Sequence, residues 1–205
     1  MVLEGIDGSG TTTQLPRLVA HLQARGRKAV ATREPSGGPV GLLLRQLLTG
    51  QHRGPDGAPV DGRAMALLFA ADRRDHLARE IQPALAASTD VVSDRYLLSS
   101  LAYQAEEAER DWVASLARQV RRPDLTLLLD VPVAIAADRR RAAGRPIERY
   151  DADPLQERVA ANYRRLAAAD PVGVVVLDAA RAIDDVTASA VAAVDALLDA
   201  TARPP

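Results

Sequence analysis

Apolar residues along this 205-residue chain fall into two alternating patterns. Short runs of Val, Leu and Ile read as strands, and longer stretches with apolar residues three and four apart read as helices. The spacing of Leu15, Leu18, Val19 and Leu22 predicts a helix over 12–25, stopped at Gly26. Strands are expected at 2–3, 28–32, 90–93, 125–130 and 172–177. Helical patterns cover 40–48, 63–87, most of 97–121, 134–143, 154–168 and 183–200. Pro83 is expected to bend or break the second of these. A loop rich in Gly and Pro fills 50–61.

Five short apolar strands separated by helices predict an α/β fold, with a parallel sheet flanked by helices on both faces. No internal repeat or low-complexity linker divides the chain, so one domain over 1–205 is expected. Sheets of this kind bind ligands beyond the carboxyl ends of their strands. The polar motifs of this chain fall there.

Composition narrows the function. At 47% apolar and 26% charged residues the chain reads as soluble and globular. A net charge of −1 argues against a general nucleic-acid binder. The absence of cysteine excludes disulfides, Cys-ligated zinc and a thiol nucleophile. His21, His52 and His76 are too scattered for a zinc helix motif. No apolar run approaches the ~20 residues that span a bilayer. The opening residues lack the basic segment and apolar stretch of a signal peptide, so a cytoplasmic protein with no membrane partner is expected.

The segment from Glu4 to Gln14 joins the first strand to the first helix. Gly5 and Gly10 have the spacing of a phosphate-binding loop, G-x-x-x-x-G-K-[ST], and Thr12 sits at its hydroxyl position. Such a loop turns backbone N–H groups inward around phosphate oxygens, and the helix start adds a favourable dipole. Thr12 would then hold Mg²⁺. The lysine position, however, is Thr11. On the loop alone, the competing reading is a glycine-rich turn that binds no nucleotide.

Four further segments follow in order. Thr32-Arg33-Glu34-Pro35 ends the second strand, and Phe69 to His76, F-A-A-D-R-R-D-H, lies in the long helix. Asp94-Arg95-Tyr96 ends the third strand and leads into Ser99-Ser100-Leu101-Ala102-Tyr103-Gln104. An arginine-rich stretch, about 139–151, contains Arg139 to Arg141, Arg145 and Arg149. With the loop, these resemble the thymidylate kinase family of P-loop nucleoside monophosphate kinases over essentially the whole chain.

The resemblance implies a P-loop NTPase fold with five parallel strands, a short arginine-rich lid at about 139–151, a homodimer, and transfer from Mg-ATP to dTMP. It implies that Gly5, Gly8, Ser9, Gly10, Thr11, Thr12 and Thr13 wrap the ATP phosphates, with Asp94 supporting the metal and the catalytic arginines. Asp7 would lie near the deoxyribose 3′-hydroxyl and the metal, and Glu34 would help position the sugar and the water around the metal. Arg45 and Arg95 would hold the dTMP phosphate. Phe69 would stack on thymine, Arg73 would reach a base carbonyl, and Ser100 and Gln104 would face the base edge. Tyr103 would crowd the 2′ position and disfavour ribose. Arginine suits these roles because its planar fork donates two parallel hydrogen bonds to phosphate.

Three departures from the family pattern stand out. Ser36-Gly37-Gly38-Pro39 replaces the usual G-G-T run, and Glu148 stands where the lid often has aspartate. The third is Thr11. Of 26 lysines and arginines only Lys28 is a lysine, and it precedes the second strand. If the protein is a kinase, its positive charge must come from arginine, Mg²⁺ and backbone N–H groups, with Arg145, Arg149 or one of Arg139 to Arg141 as the expected stand-in. A catalytically silent nucleotide-binding homologue and a kinase for another pyrimidine deoxynucleotide such as dUMP are the competing readings.

Overall fold

The computed structural model describes residues 1–118, 120–144 and 148–202, with residues 201 and 202 as backbone only. Five strands form one parallel sheet: β1 (Val2–Glu4), β2 (Ala29–Arg33), β3 (Asp90–Asp94), β4 (Thr126–Asp130) and β5 (Val174–Asp178). Their order is β2-β3-β1-β4-β5. The chain leaves central β1 for one edge, returns beside it as β3, and then crosses to its other side. The carboxyl end of β1 is therefore the switch point where a crevice opens.

The sequence explains the layering. Leu127, Leu128 and Leu129 of β4 are each 1% exposed, which is why that strand is an unbroken apolar run. Edge strands β2 and β5 leave Val30 and Val176 exposed. Helix α1 (Thr11–Ala24) buries Leu18 and Leu22 against the sheet and packs on α9 (Ile183–Ala202). Helices α2 (Pro39–Leu48) and α3 (Gly62–His76) pack on each other. The remaining α-helices among the described residues are α4 (Gln82–Ala86), α5 (Leu97–Tyr103), α6 (Arg110–Leu116), α7 (Val133–Ala142) and α8 (Asp153–Ala169). No described helix is long and apolar enough to cross a membrane.

Two helical expectations are corrected. The helix predicted over 63–87 does not break at Pro83 but widens before it, into a π-helical turn at Leu77–Ile81. Proline cannot donate to the carbonyl four residues earlier and its ring crowds that carbonyl, and the wider turn accommodates both. The stretch 97–121 divides into α5, a 3₁₀ turn at Gln104–Glu106, and α6. Glu106 and Glu107 near this break are held by residues far along the chain, Arg158 and Asn162 for the first, Arg149 and Tyr150 for the second.

Candidate active site

Two cavities open above the carboxyl ends of β1 and β3. The first, about 690 Å³, is bounded by the glycine-rich loop, the start of α1, Arg139 and Arg140 of α7, and Arg181 to Ile183 at the head of α9. The second, about 370 Å³, lies between the ends of β2 and β3 and helices α2, α3 and α5. Both are lined by Asp7, Thr12, Asp94 and Arg95, so they meet there.

The loop owes its shape to glycine at two points. Gly8 has φ +90°, and a Cβ there would lie 2.4 Å from the Ala136 carbonyl oxygen of α7. Only glycine lets α7 press on the loop, which brings Arg139 and Arg140 over it. Gly10, at φ +103°, turns the chain into α1, and no side chain caps that helix start. Free N–H groups at an uncapped helix start attract anions. Ser9 Oγ is buried without a partner among the described residues.

Asp94 lies opposite. Its Oδ2 accepts from the Thr12 hydroxyl at 2.9 Å, while its buried Oδ1 has no partner among the described residues. A divalent cation with oxygen ligands would satisfy that atom. Among the described residues no cluster of three or more acidic, His or Cys side chains stands ready to hold a metal. The corner therefore suits an ion that keeps water and phosphate oxygens, as Mg²⁺ does.

Arg95 connects the halves. It adopts φ +71°, a left-handed conformation rare for a residue with a side chain. Its N–H donates to Leu3 O at 2.8 Å, and Ser93 Oγ donates to its carbonyl at 2.8 Å. Strain of this kind, of order 1–3 kcal/mol, is retained where the surroundings over-determine it. The guanidinium donates to Asp7 Oδ1 at 2.8 Å and lies over the Tyr103 ring. Burial opposes its charge, but the Tyr103 phenol and the Asp7 carboxylate outweigh burial and raise its pKa.

Beneath the second cavity the side chains are bonded to one another. Arg73 donates through Nε to Glu34 Oε2 at 2.9 Å, and through Nη2 to Tyr96 O at 3.0 Å and Ser100 Oγ at 2.8 Å. Tyr103 donates to Asp7 Oδ2 at 3.1 Å. Phe69, Arg45 and Gln104 also line this cavity. Arg45 donates to the Pro35 and Ser36 carbonyls, and burial followed by the charge of Arg33 lowers its pKa. In the Ser36 to Pro39 departure, buried Ser36 donates through N and Oγ to Asp72, at 2.8 and 2.6 Å, while Pro39 begins α2.

Of the expected residues, the structure brings Gly8 to Thr13, Asp94 and Arg95 to the first cavity. It brings Asp7, Glu34, Arg45, Phe69, Arg73, Tyr103 and Gln104 to the second. Ser100 is reached through Arg73. Gly5 lies at the foot of the loop, where a Cβ would meet Leu129 O at 2.8 Å. Arg149 is not brought to either cavity: it pairs with Glu107 at 2.8 Å and donates to Val60 O. Arg145 lies outside the described residues.

Among the described lid cations, Arg140 and Arg139 bond to the loop backbone. Arg140 donates to Asp7 O at 2.6 Å and to Asp153 at 2.8 Å, with a side chain only 9% exposed. Arg139 reaches Ser9 O at 3.4 Å and Ala179 O at 2.9 Å.

Three residues at the site were not singled out by sequence. Glu4, fully buried in β1, caps the start of α5 by accepting from Tyr96 N and Ser99 N. Burial raises its pKa, against the hydrogen bond from Ser99. Gln156 of α8 accepts from Asp7 N and donates to Asp7 Oδ2, both at 3.2 Å, and donates to Tyr150 O. His76 stands behind Glu34. For Glu4 a signal existed: an acid in a strand covered on both faces needs partners.

Residues 3–190 match the family model described as thymidylate kinase. A thymidylate kinase of Bifidobacterium longum subsp. infantis is 44% identical over 202 residues, covering 95% of this chain and 85% of its own. One from another Bifidobacterium longum strain is 45% identical over 193 residues, covering 91% of this chain and 92% of its own. A probable thymidylate kinase of Thermococcus kodakarensis is 44% identical over 170 residues, covering 82% and 83%.

Proposed function

The chain belongs to the thymidylate kinase family, and from that premise we propose how its two cavities share the work of making dTDP from dTMP. The protein phosphorylates dTMP, the step that feeds dTTP synthesis, and ATP is the donor general to the family. One observation carries the residue-level reading. The two cavities meet at Asp7, Thr12, Asp94 and Arg95, where a group handed from one substrate to the other would pass.

In the reaction a phosphate oxygen of dTMP bonds to the γ-phosphorus of ATP, and the bond to the β-phosphate oxygen breaks. Such a transfer asks the protein for positioning and charge. The loop from Gly5 to Thr12 wraps the donor phosphates, and Thr13 follows in the first turn of α1. Thr12 and Asp94 would hold Mg²⁺, which neutralises phosphate charge when bound. Arg95 and Arg45 take the acceptor phosphate. The Arg33 charge beside Arg45 supports this, because an anion relieves their repulsion. Phe69 stacks on the base, and Arg73, Ser100 and Gln104 read its edge. Glu34 holds Arg73, Asp7 takes the 3′-hydroxyl, and Tyr103 beside it leaves no room for a 2′-hydroxyl. Leu42 and Leu43 of α2 and Leu67 of α3, exposed on neighbouring helices, support a homodimer through that face, which a monomeric mass in solution would reject. The enzyme then works in the cytoplasm.

Thr11 leaves the loop without its usual cation. A comparable electrostatic contact is worth ~3–4 kcal/mol of barrier, and an inserted arginine ~10³–10⁵ in rate. Arg140 and Arg139 take over that charge, a reading supported by their bonds to Asp7 O and Ser9 O. The same threonine is the one feature that favours a silent homologue. ADP release measured with dTMP, dUMP, dCMP, AMP and GMP separates the readings. The highest kcat/KM is expected with dTMP. Binding of ATP or dTMP without turnover of any acceptor would reject the enzyme.

A further inference from the structure

His76 ends α3, and its side chain is fully buried. Thr32 Oγ1 of β2 lies 2.7 Å from its Nε2, and Glu34 Oε1 lies 3.3 Å from its Nδ1. Glu80, on the π-helical turn, is 3.6 Å from Nε2. Asp72 on its own helix adds negative charge.

Glu34 is thus held from two sides. His76 faces Oε1, while Arg73 donates to Oε2 at 2.9 Å, and both members of the Arg73–Glu34 pair are under 5% exposed. Glu34 and Arg73 line the acceptor cavity, and His76 lies behind them. The terminal torsion of a glutamate has no sharp preference of its own. Whatever fixes the second oxygen fixes the carboxylate plane, and the guanidinium plane follows it. A recognition residue is only as precise as the shell that supports it.

We propose that His76 is a positioning residue for the acceptor nucleotide: by holding Glu34 it sets the orientation of Arg73, without touching substrate. The proposal rests on the acceptor-site reading above. The surrounding charges suit it. Burial alone would lower the His76 pKa, but the hydrogen bond and charge of Glu34, then the charges of Glu80 and Asp72, outweigh burial and raise it. Arg73, the cation in the group, is already neutralised by Glu34. Protonated His76 donates through both nitrogens. Once neutral, it keeps the Nδ1–H bond to Glu34, accepts from Thr32, and loses its charge attraction. The grip on Glu34 therefore loosens as pH rises through the His76 ionisation.

The test compares wild type with His76→Ala and His76→Asn, measuring KM for dTMP and for ATP separately across pH. Asparagine presents an amide N–H near the Nδ1 position and carries no charge. In His76→Ala, KM for dTMP is expected to rise about tenfold, the scale of one charge-assisted hydrogen bond, with KM for ATP within about twofold. His76→Asn should recover most of that loss. The wild-type rise of KM for dTMP with pH should be flat in His76→Asn. Unchanged KM for dTMP in His76→Ala, or an equal rise for both substrates, overturns the proposal. If His76→Ala does not fold, a pH profile in His76→Asn identical to wild type overturns it. A wild type inactive on dTMP would instead reject the site reading itself.

Discussion

At and beneath the acceptor cavity Arg73, Glu34, Ser100 and His76 are already bonded to one another, whereas at the donor loop Ser9 Oγ and Asp94 Oδ1 are buried without partners among the described residues. The start of α1 is likewise uncapped. A buried polar group without a partner costs about 1–3 kcal/mol, so the donor half carries a deficit that a phosphate and a cation can remove. Apart from Asp94, which lines both cavities, the described residues of the acceptor half carry none of this kind: its arginine is fixed in place before a base reaches it. Preorganisation favours discrimination, because a nucleotide that fails to match fixed groups leaves them unpaired. The donor half asks mainly for charge, which a triphosphate supplies.

Arg95 belongs to both halves, so its removal should break the comparison outright. Arg95→Ala removes the cation at the junction and frees Asp7 Oδ1. The expected outcome is a fall in kcat of about 10³ or more, the scale of a transition-state arginine. KM for both substrates should change as well. Steady-state kinetics with each substrate varied in turn checks this, and a loss confined to KM for dTMP would move Arg95 wholly to the acceptor side.

Arg140 should sharpen the comparison, because it lines the donor cavity and not the acceptor cavity. Arg140→Ala is expected to lower kcat by roughly 10² to 10³, as for other lost oxyanion contacts, with KM for dTMP nearly unchanged. Arg141, 69% exposed and paired with Asp138, serves as the control and should stay within about twofold when changed to alanine. Thr11→Lys in the Arg140→Ala background should recover more activity than it adds to wild type. Equal effects in both backgrounds would show that Arg140 does not supply the missing charge.

The legible parts of this molecule are those governed by local rules. Strand β4 was readable at 125–130 because a strand covered on both faces must be apolar throughout. The loop and the ends of β2 and β3 were readable because parallel sheets gather ligand groups at their carboxyl ends. Glu4 with Tyr163, Asp7 with Gln156 and Thr32 with His76 were not. Those partners are 159, 149 and 44 residues apart, and no local pattern encodes which distant polar group meets which. The partners of Arg149 were hidden for the same reason. Its motif position points to the lid, but Glu107 and Val60 hold it elsewhere.

The smallest effect should appear in stability rather than rate, and only in the acceptor half. The folded-state pKa of His76 is raised above the ordinary value of 6.5. Between that value and the raised one, the folded protein holds a proton that the unfolded chain has released. Its stabilising contribution is therefore complete below pH 6.5 and lost as pH climbs through the folded pKa. The expected outcome is a decline in Tm over this window. Other groups also titrate there, so the informative quantity is the difference between wild type and His76→Asn. Thermal melts of both proteins from pH 6 to 9 should converge as pH rises. Parallel curves would mean that His76 stays neutral throughout, and that the acceptor half holds Glu34 by hydrogen bonding without a second positive charge.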